Sequence, residues 1–326
     1  TSWITKKVFS NKGGLFNRDT DRIYLEPFTL KETEEFLDRR QICLTRKDIA
    51  ECYMIMGGIP YYLDKIEKGM SFSQNIDNIF FKKRARLWDE FTHLYASLFD
   101  NPEPHLKIVK ALNTKRSGLT RAEISEATKI PPNGNLTRVL KELEDSGFVL
   151  SYKDWTKTKK GNIYRLSDFY TIFYLDFVQE NYGDDENFWT NRIDSSMHRA
   201  WTGFAFELLC MNHIPQIKAA LGISGVATRQ FSWRGEDKSG KRSQIDLLID
   251  RRDGVIDLCE VKFASGLYAI TKGYESELVD KIEVFRNATK TNKSIHLVMV
   301  TTFGLSANSH TSLVQNSIIL DDLFLH

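Results

Sequence analysis

The sequence predicts a multidomain α/β protein, and three observations predict it. Two runs rich in Ile, Leu and Val, 244–250 and 255–262, flank the polar turn Arg251-Arg252-Asp253-Gly254, which reads as a β-hairpin. Around that hairpin, 201–211 and 273–287 carry helical periodicity and 294–302 reads as a buried strand. Further upstream, 105–166 gives three helix signals and then two strand signals. With 326 residues, 41% of them hydrophobic, the chain has enough apolar surface for two or three cores.

The hairpin carries the chemistry. Asp246 sits at the start of its first strand and Glu260 near the end of its second, both among apolar neighbours. Lys262 lies two residues beyond Glu260, so the period of a strand turns both side chains to one face. Carboxylates in half-buried strands need a partner. A divalent cation held by Asp246, Glu260 and the backbone carbonyl of Val261, with Lys262 beside it, would supply one. The bland reading is a surface hairpin with an exposed ion pair, worth little. The pattern Asp, thirteen residues, Glu-X-Lys resembles the PD-(D/E)XK family of restriction-endonuclease-like nucleases. The resemblance implies Mg²⁺ or Mn²⁺ as cofactor and a glutamate on the first core helix facing the metal site. Glu207, inside the apolar run Phe204-Ala-Phe-Glu-Leu-Leu, matches that role. Lys281, on the helix after the hairpin, is a candidate to assist with phosphate.

Residues 1–66 read differently. A strand-like Asp-Arg-Ile-Tyr-Leu (21–25) ends at Pro27, and Thr29 with Glu32 makes a capping box that opens a helix. A second helix over 47–56 ends at Gly57-Gly58-Ile59-Pro60. This succession resembles the end of the nucleotide domain and the helical lid of prokaryotic AAA-type P-loop ATPases that are fused to a nuclease-like domain. The same Gly and Pro also serve a simple helix break. No GxxxxGK[ST] occurs, so the resemblance implies ATP for a parent protein only. The chain opens at Thr1 inside what reads as a running helix, and it is expected to continue a longer ATPase. Arg18, after a glycine-rich turn, is the candidate arginine finger, against an ordinary surface role.

Residues 67–103 read as an amphipathic helical linker, closed by Asn101-Pro-Glu-Pro104. In 104–167, Thr120 with Glu123 caps a second helix, Gly147 closes a third, and strands follow at 149–152 and 162–166. The order resembles a winged helix-turn-helix domain. Between His105 and Leu166 stand 13 Lys and Arg against 6 Asp and Glu, an excess of +7 in a chain of net +2. That excess suits a duplex backbone. Asn135, Thr137 and Arg138 on the third helix are the candidate base-reading residues, and Lys157, Lys159 and Lys160 on the wing the candidate phosphate contacts. Many winged helices bind proteins instead. A connector over 168–200 is strongly aromatic at 169–178 and is expected to pack between this unit and the nuclease-like domain at 201–326.

Cys43, Cys52, Cys210 and Cys259 lie far apart with no metal-ligand spacing, which reads as reduced thiols in the cytoplasm. No apolar stretch approaches the roughly 20 residues a membrane span needs, and no signal peptide is recognised. Global charge, 45 basic against 43 acidic residues, selects no polyanionic partner. The expected function is metal-dependent DNA cleavage by the C-terminal part of an AAA-type ATPase. The alternative is a non-catalytic module that senses DNA or a partner for that ATPase. Homo-oligomers would form through the ATPase portion.

Overall fold

Phe169–Val178 is the hub on which the helical elements meet. The computed structural model describes residues 25–153, 162–181 and 183–325. In order, the elements before the hub are α1 (Leu30–Arg39), α2 (Arg46–Met56), the short α3 (Pro60–Leu63), α4 (Phe72–Ile76, running on as a π-turn to Phe81) and α5 (Glu90–Leu98). Then come α6 (Glu103–Asn113), β1 (Leu119–Thr120), α7 (Arg121–Thr128), α8 (Gly134–Asp145), β2 (Val149–Lys153) and β3 (Asn162–Leu166). The hub helix α9 starts at Phe169–Phe173 and continues as a π-helical turn over Tyr174–Val178. After it follow α10 (Ser196–Asn212), α11 (Ile214–Ala220), β4 (Thr228–Glu236), β5 (Arg242–Arg251), β6 (Val255–Lys262), α12 (Lys272–Thr289), β7 (Ser294–Thr301) and β8 (Asn316–Ile319).

The capping signals operate as read. Thr29 Oγ1 accepts the Glu32 amide at 3.2 Å while Glu32 returns a carboxylate to the Thr29 amide at 2.8 Å. Thr120 and Glu123 repeat the exchange at the start of α7. The 67–103 segment departs from a continuous helix. It is two helices, α4 and α5, separated by irregular chain around Arg84, which takes a left-handed φ of 63°. The apolar anchors Phe80, Phe81 and Leu87 are still fully buried, because the break turns them all toward the hub.

The aromatic connector touches both units it was expected to lie between, through Asp176 to Asn113 and Arg116 and through Phe173 and Phe177 to Trp201, and it also packs against the N-terminal helices. Phe169 meets Tyr53 edge-on, Tyr170 lies over Tyr62, and Tyr174 stacks on Phe91 with centroids 4.4 Å apart. Phe173 and Phe177 both touch Trp189 and Trp201. Asp77, buried at the π-turn of α4, anchors the following loop by accepting the amides of Trp189 and Thr190 and the Thr190 hydroxyl.

Two sheets are present among the described residues. The small one has the order β1-β3-β2, antiparallel, and the large one the order β4-β5-β6-β7-β8. In the large sheet β4, β5 and β6 run antiparallel, while β6, β7 and β8 run parallel. Parallel pairing of β6 with β7 needs a crossover, and α12 supplies it. One face of this sheet (Leu247, Ile249, Cys259, Val298, Val300) belongs to the large core with α10. The other (Ile245, Leu248, Ile256, Leu258, Leu297, Met299) packs on Leu278, Val284 and Phe285 of α12. Both faces being covered explains the near-continuous apolar runs of β6 and β7. All four cysteines are free; Cys52, Cys210 and Cys259 are buried. Among the described residues, no helix is long and apolar enough to cross a membrane.

Candidate active site

β5 is bulged where it carries Asp246. Phe231 of β4 pairs with Leu248, but Trp233 pairs with Ile245, so Asp246 and Leu247 together oppose the single residue Ser232. A bulge bends the strand and re-aims the side chains on it. As a result Ile245 and Leu248 both point into the α12 core, and Leu247 points into the other. On the opposite edge of β5, the ladder to β6 ends at Leu247↔Cys259. Asp246 and Glu260 are thus the first positions beyond the last paired residues of the hairpin. There the two strands have separated.

Glu260 and Lys262 share a face, as the strand period requires, with Lys262 Nζ 3.1 Å from Glu260 Oε1. Two residues of α12 close over them. Tyr274 donates its hydroxyl to Glu260 Oε1 at 2.6 Å, and Lys281 donates to Oε2 at 2.6 Å. These two are seven apart, two helical turns, and so lie on one side of α12. The Lys262 ammonium also stands 4.9 Å from the centre of the Tyr274 ring. Burial pushes the Glu260 carboxyl up, but the ammonium groups of Lys281 and Lys262 outweigh it and hold the group below its ordinary range. Lys262 is shifted upward: burial opposes its charge, and the Glu260 carboxylate more than restores it.

Glu207, midway along α10, faces the same place. Burial comes first and the Asp246 charge second in pushing its carboxyl up to about 7; Glu260 adds to this, while Arg165 and Lys262 pull it back. Asp246 is steered by a polar relay on the sheet edge. Arg234 donates to Gln244 Oε1 at 2.9 Å, and Gln244 Nε2 donates to Asp246 Oδ1 at 2.7 Å. Glu207 of α10 thus lies within electrostatic reach of Asp246 on β5 and of Glu260 and Lys262 on β6. Among the described residues, no group of three or more His, Cys, Asp or Glu side chains is placed to share one metal ion.

The candidate base-reading residues lie on the exposed side of α8, each held by a hydrogen bond within the unit. Arg138 donates to both oxygens of Glu142 at 2.8 and 3.0 Å and to Asn135 Oδ1 at 2.9 Å. Thr137 accepts from Arg121 at 2.9 Å. Behind this layer, buried His105 joins Glu142 at 2.9 Å, so Arg138 is half of a structural ion pair. Arg18, Lys157, Lys159 and Lys160 lie outside the described residues.

No family model matches the chain, and no solved structure matches it. The chain is similar to a curated archaeal sequence, the Uncharacterized protein MJECL04 of Methanocaldococcus jannaschii, at 26% identity over 210 residues. The match covers 63% of this chain and 46% of that protein, so it spans about half the length of its relative.

Sequence reasoning did not find Tyr274, Gln244 or Arg165. For Tyr274 a signal existed: it precedes Lys281 by two turns on the helix that must cover the hairpin. Gln244 was visible as the residue two before Asp246 on the same strand. Arg165 reaches Glu207 from a strand 42 positions away, and nothing local marks it.

Proposed function

We propose that this chain cleaves a phosphodiester backbone at the splayed end of the β5–β6 hairpin, as the nuclease-like part of a longer, ATP-using protein. The observation that carries the reading is that Lys262 bonds Glu260 on one face of β6, while Glu207 of α10 feels the charges of Asp246, Glu260 and Lys262. Such coupling between acids and an ammonium marks functional sites more often than ordinary surfaces.

The donor set suits Mg²⁺ or Mn²⁺. Asp246, Glu260 and the Val261 carbonyl are hard oxygens. One oxygen of Asp246 is committed to Gln244, and both oxygens of Glu260 to ammonium or hydroxyl donors, so a dication entering here displaces an ammonium from Glu260. When bound, such an ion supplies Lewis-acid polarisation of the phosphate and a more acidic water. The chain's own groups do the rest. Lys262, held by Glu260 and with its charge reinforced, stabilises negative charge growing on the phosphate. Glu207 orients the acid pair, and the Arg234–Gln244 relay fixes the rotamer of Asp246.

Residues 103–166 support a duplex-binding role. Helix α6, strand β1, helices α7 and α8 and the β2–β3 hairpin follow the order expected of a winged helix. Its third helix leaves Asn135, Thr137 and Arg138 on the exposed side. A second reading has a specific observation in its favour: Glu260 is already neutralised by two lysines, as a retired, structural carboxylate would be. In that case the domain senses DNA or a partner without cutting.

Plasmid nicking separates the two. With Mg²⁺ or Mn²⁺, wild-type protein is expected to nick supercoiled DNA; Lys262→Ala and Asp246→Asn are expected to lose more than roughly 100-fold in rate while duplex affinity stays within about twofold. Unchanged nicking by Lys262→Ala removes the mechanism. Absence of nicking in the wild type with either metal leaves the sensing module.

A further inference from the structure

A cleft of about 190 Å³ runs beside the candidate site, between the α6–β1 turn and β2–β3 on one wall and β4–β5 on the other. Lys115, Tyr152 and Arg165 line the first wall; Arg234, Gln244 and Asp246 line the second. Its size is below that of pockets for drug-sized ligands, and suits one phosphate with its sugar rather than a duplex.

Arg165 is the anomaly in this cleft. It is 3% exposed, yet among the described residues its contacts are a thioether and an aromatic ring rather than a carboxylate within ion-pair distance. Its Nη1 reaches only the sulfur of Met211 at 3.1 Å, and its Nε has no hydrogen-bond partner. The guanidinium rests on the Phe204 ring at 5.2 Å. Phe204, Glu207 and Met211 are spaced three and four along α10 and form one stripe. Arg165 is laid along that stripe, with Glu207 between its two supports. Glu207 feels this guanidinium, but burial and the Asp246 charge push its carboxyl up to about 7, so it offsets only part of the several kcal/mol that an unpaired buried guanidinium costs. Neither Phe204 nor Met211 repays that, whereas a phosphate oxygen matches the guanidinium fork. Its neighbours behave otherwise: Lys115 is paired with Glu123 at 2.6 Å and Arg116 with Asp176 at 2.6 Å.

We propose that the cleft takes the phosphodiester backbone of a single nucleic-acid strand, with Arg165 holding a phosphate adjacent to Asp246. The inference rests on the nuclease reading for what happens to that strand, but strand binding stands without it. It makes the site composite: the small sheet contributes the anion-holding group, the large sheet the acids.

The test uses the full chain, a short fluorescein-labelled single-stranded DNA as probe, and Arg165→Met, which keeps the packing on Phe204 and Met211. Replacing a buried charge by an apolar chain of similar volume is near neutral or stabilising, so the variant is expected to melt at or above the wild-type temperature. Its affinity for the single strand should fall at least tenfold. The log–log salt slope should drop by about 0.7, the share of one phosphate contact on a single strand. A purely structural arginine would leave that slope unchanged. Wild-type affinity and slope in Arg165→Met overturn the proposal. Should that variant fail to fold, Arg165→Lys decides: reduced affinity with most of the slope kept supports phosphate contact, and wild-type affinity refutes it. Nicking by the wild-type protein, assayed in parallel, keeps the two ideas apart: a loss of strand affinity in Arg165→Met supports the cleft whether or not the wild type cuts.

Discussion

At the scale of single residues, Gly58 and Gly203 have opposite tolerances. A Cβ on Gly58 would stand 2.0 Å from the backbone oxygen of Phe28 and 2.6 Å from its nitrogen. The Phe28 amide donates to the Gly58 carbonyl at 2.7 Å, so the two backbones are tied at this point. Gly57 before it ends α2 with φ 63°, and Pro60 after it opens α3, where a missing N–H costs nothing. The Gly-Gly-X-Pro run thus has a complete local explanation, a reversal pinned against the chain leading into α1. Gly58→Ala is expected to lose roughly 2–4 kcal/mol through the forced shift and the strained bond. Gly203 lies inside α10, and a Cβ added there would meet nothing within 4 Å. Gly203→Ala should therefore gain about 0.5–1 kcal/mol from helix propensity. Urea midpoints of the pair check both signs, and a Gly58→Ala protein as stable as wild type contradicts the close approach.

At the scale of elements, His213 shows how a junction becomes sensitive to pH. It joins α10 to α11, donates from Nδ1 to the Leu209 carbonyl at 2.9 Å, and accepts the Leu30 amide on Nε2 at 3.3 Å. It therefore stitches the start of α1 to the end of α10, and only its neutral form can do so. Burial lowers its pKa to about 4. In the unfolded chain the ring takes up a proton near 6.5. The folded state binds fewer protons between these values, so stability is full above about 6.5 and falls as pH drops toward about 4, by about 3 kcal/mol in all. His213→Gln removes this contribution, and its melting temperature should decline less than wild type between pH 7 and 4.5. Parallel curves for the two proteins count against the assignment. Elements were legible in proportion to how local their causes are. Thr29 with Glu32 and Thr120 with Glu123 announce their helices within four residues, and Glu260 with Lys262 announce a shared face within three. The bulge at Asp246 depends on what Ser232 faces across the sheet. The break around Arg84 depends on Phe80, Phe81 and Leu87 all being drawn to a hub about 90 positions on. The fate of Arg138 was likewise hidden, because it is set by a buried histidine on another helix.

At the scale of the whole molecule, the large sheet joins two cores that touch it from opposite sides. The larger core takes in residues from Leu30 to Phe324, and Arg46 of α2 packs its guanidinium 4.7 Å from the Phe324 ring. The smaller core lies under α12, where Trp233 meets Phe285 edge-on at 5.1 Å. Neither core can open alone at low cost. Loss of α12 bares Ile245, Leu248, Leu258, Leu297 and Met299 on strands whose alternate residues are buried in the larger core. Each such side chain exposed costs about 1.5–3 kcal/mol. The two cores are therefore expected to unfold together, even though chains of this length often unfold in steps. Tryptophan reports both: Trp189 and Trp201 sit in the larger core, Trp233 in the smaller. The fluorescence change assigned to Trp233, taken as the difference between wild type and Trp233→Phe, should share its urea midpoint with the change in helical circular dichroism. An earlier midpoint for Trp233 would mean that α12 detaches first, taking Tyr274 and Lys281 away from Glu260. The candidate site would then be dismantled while the rest of the chain stayed folded.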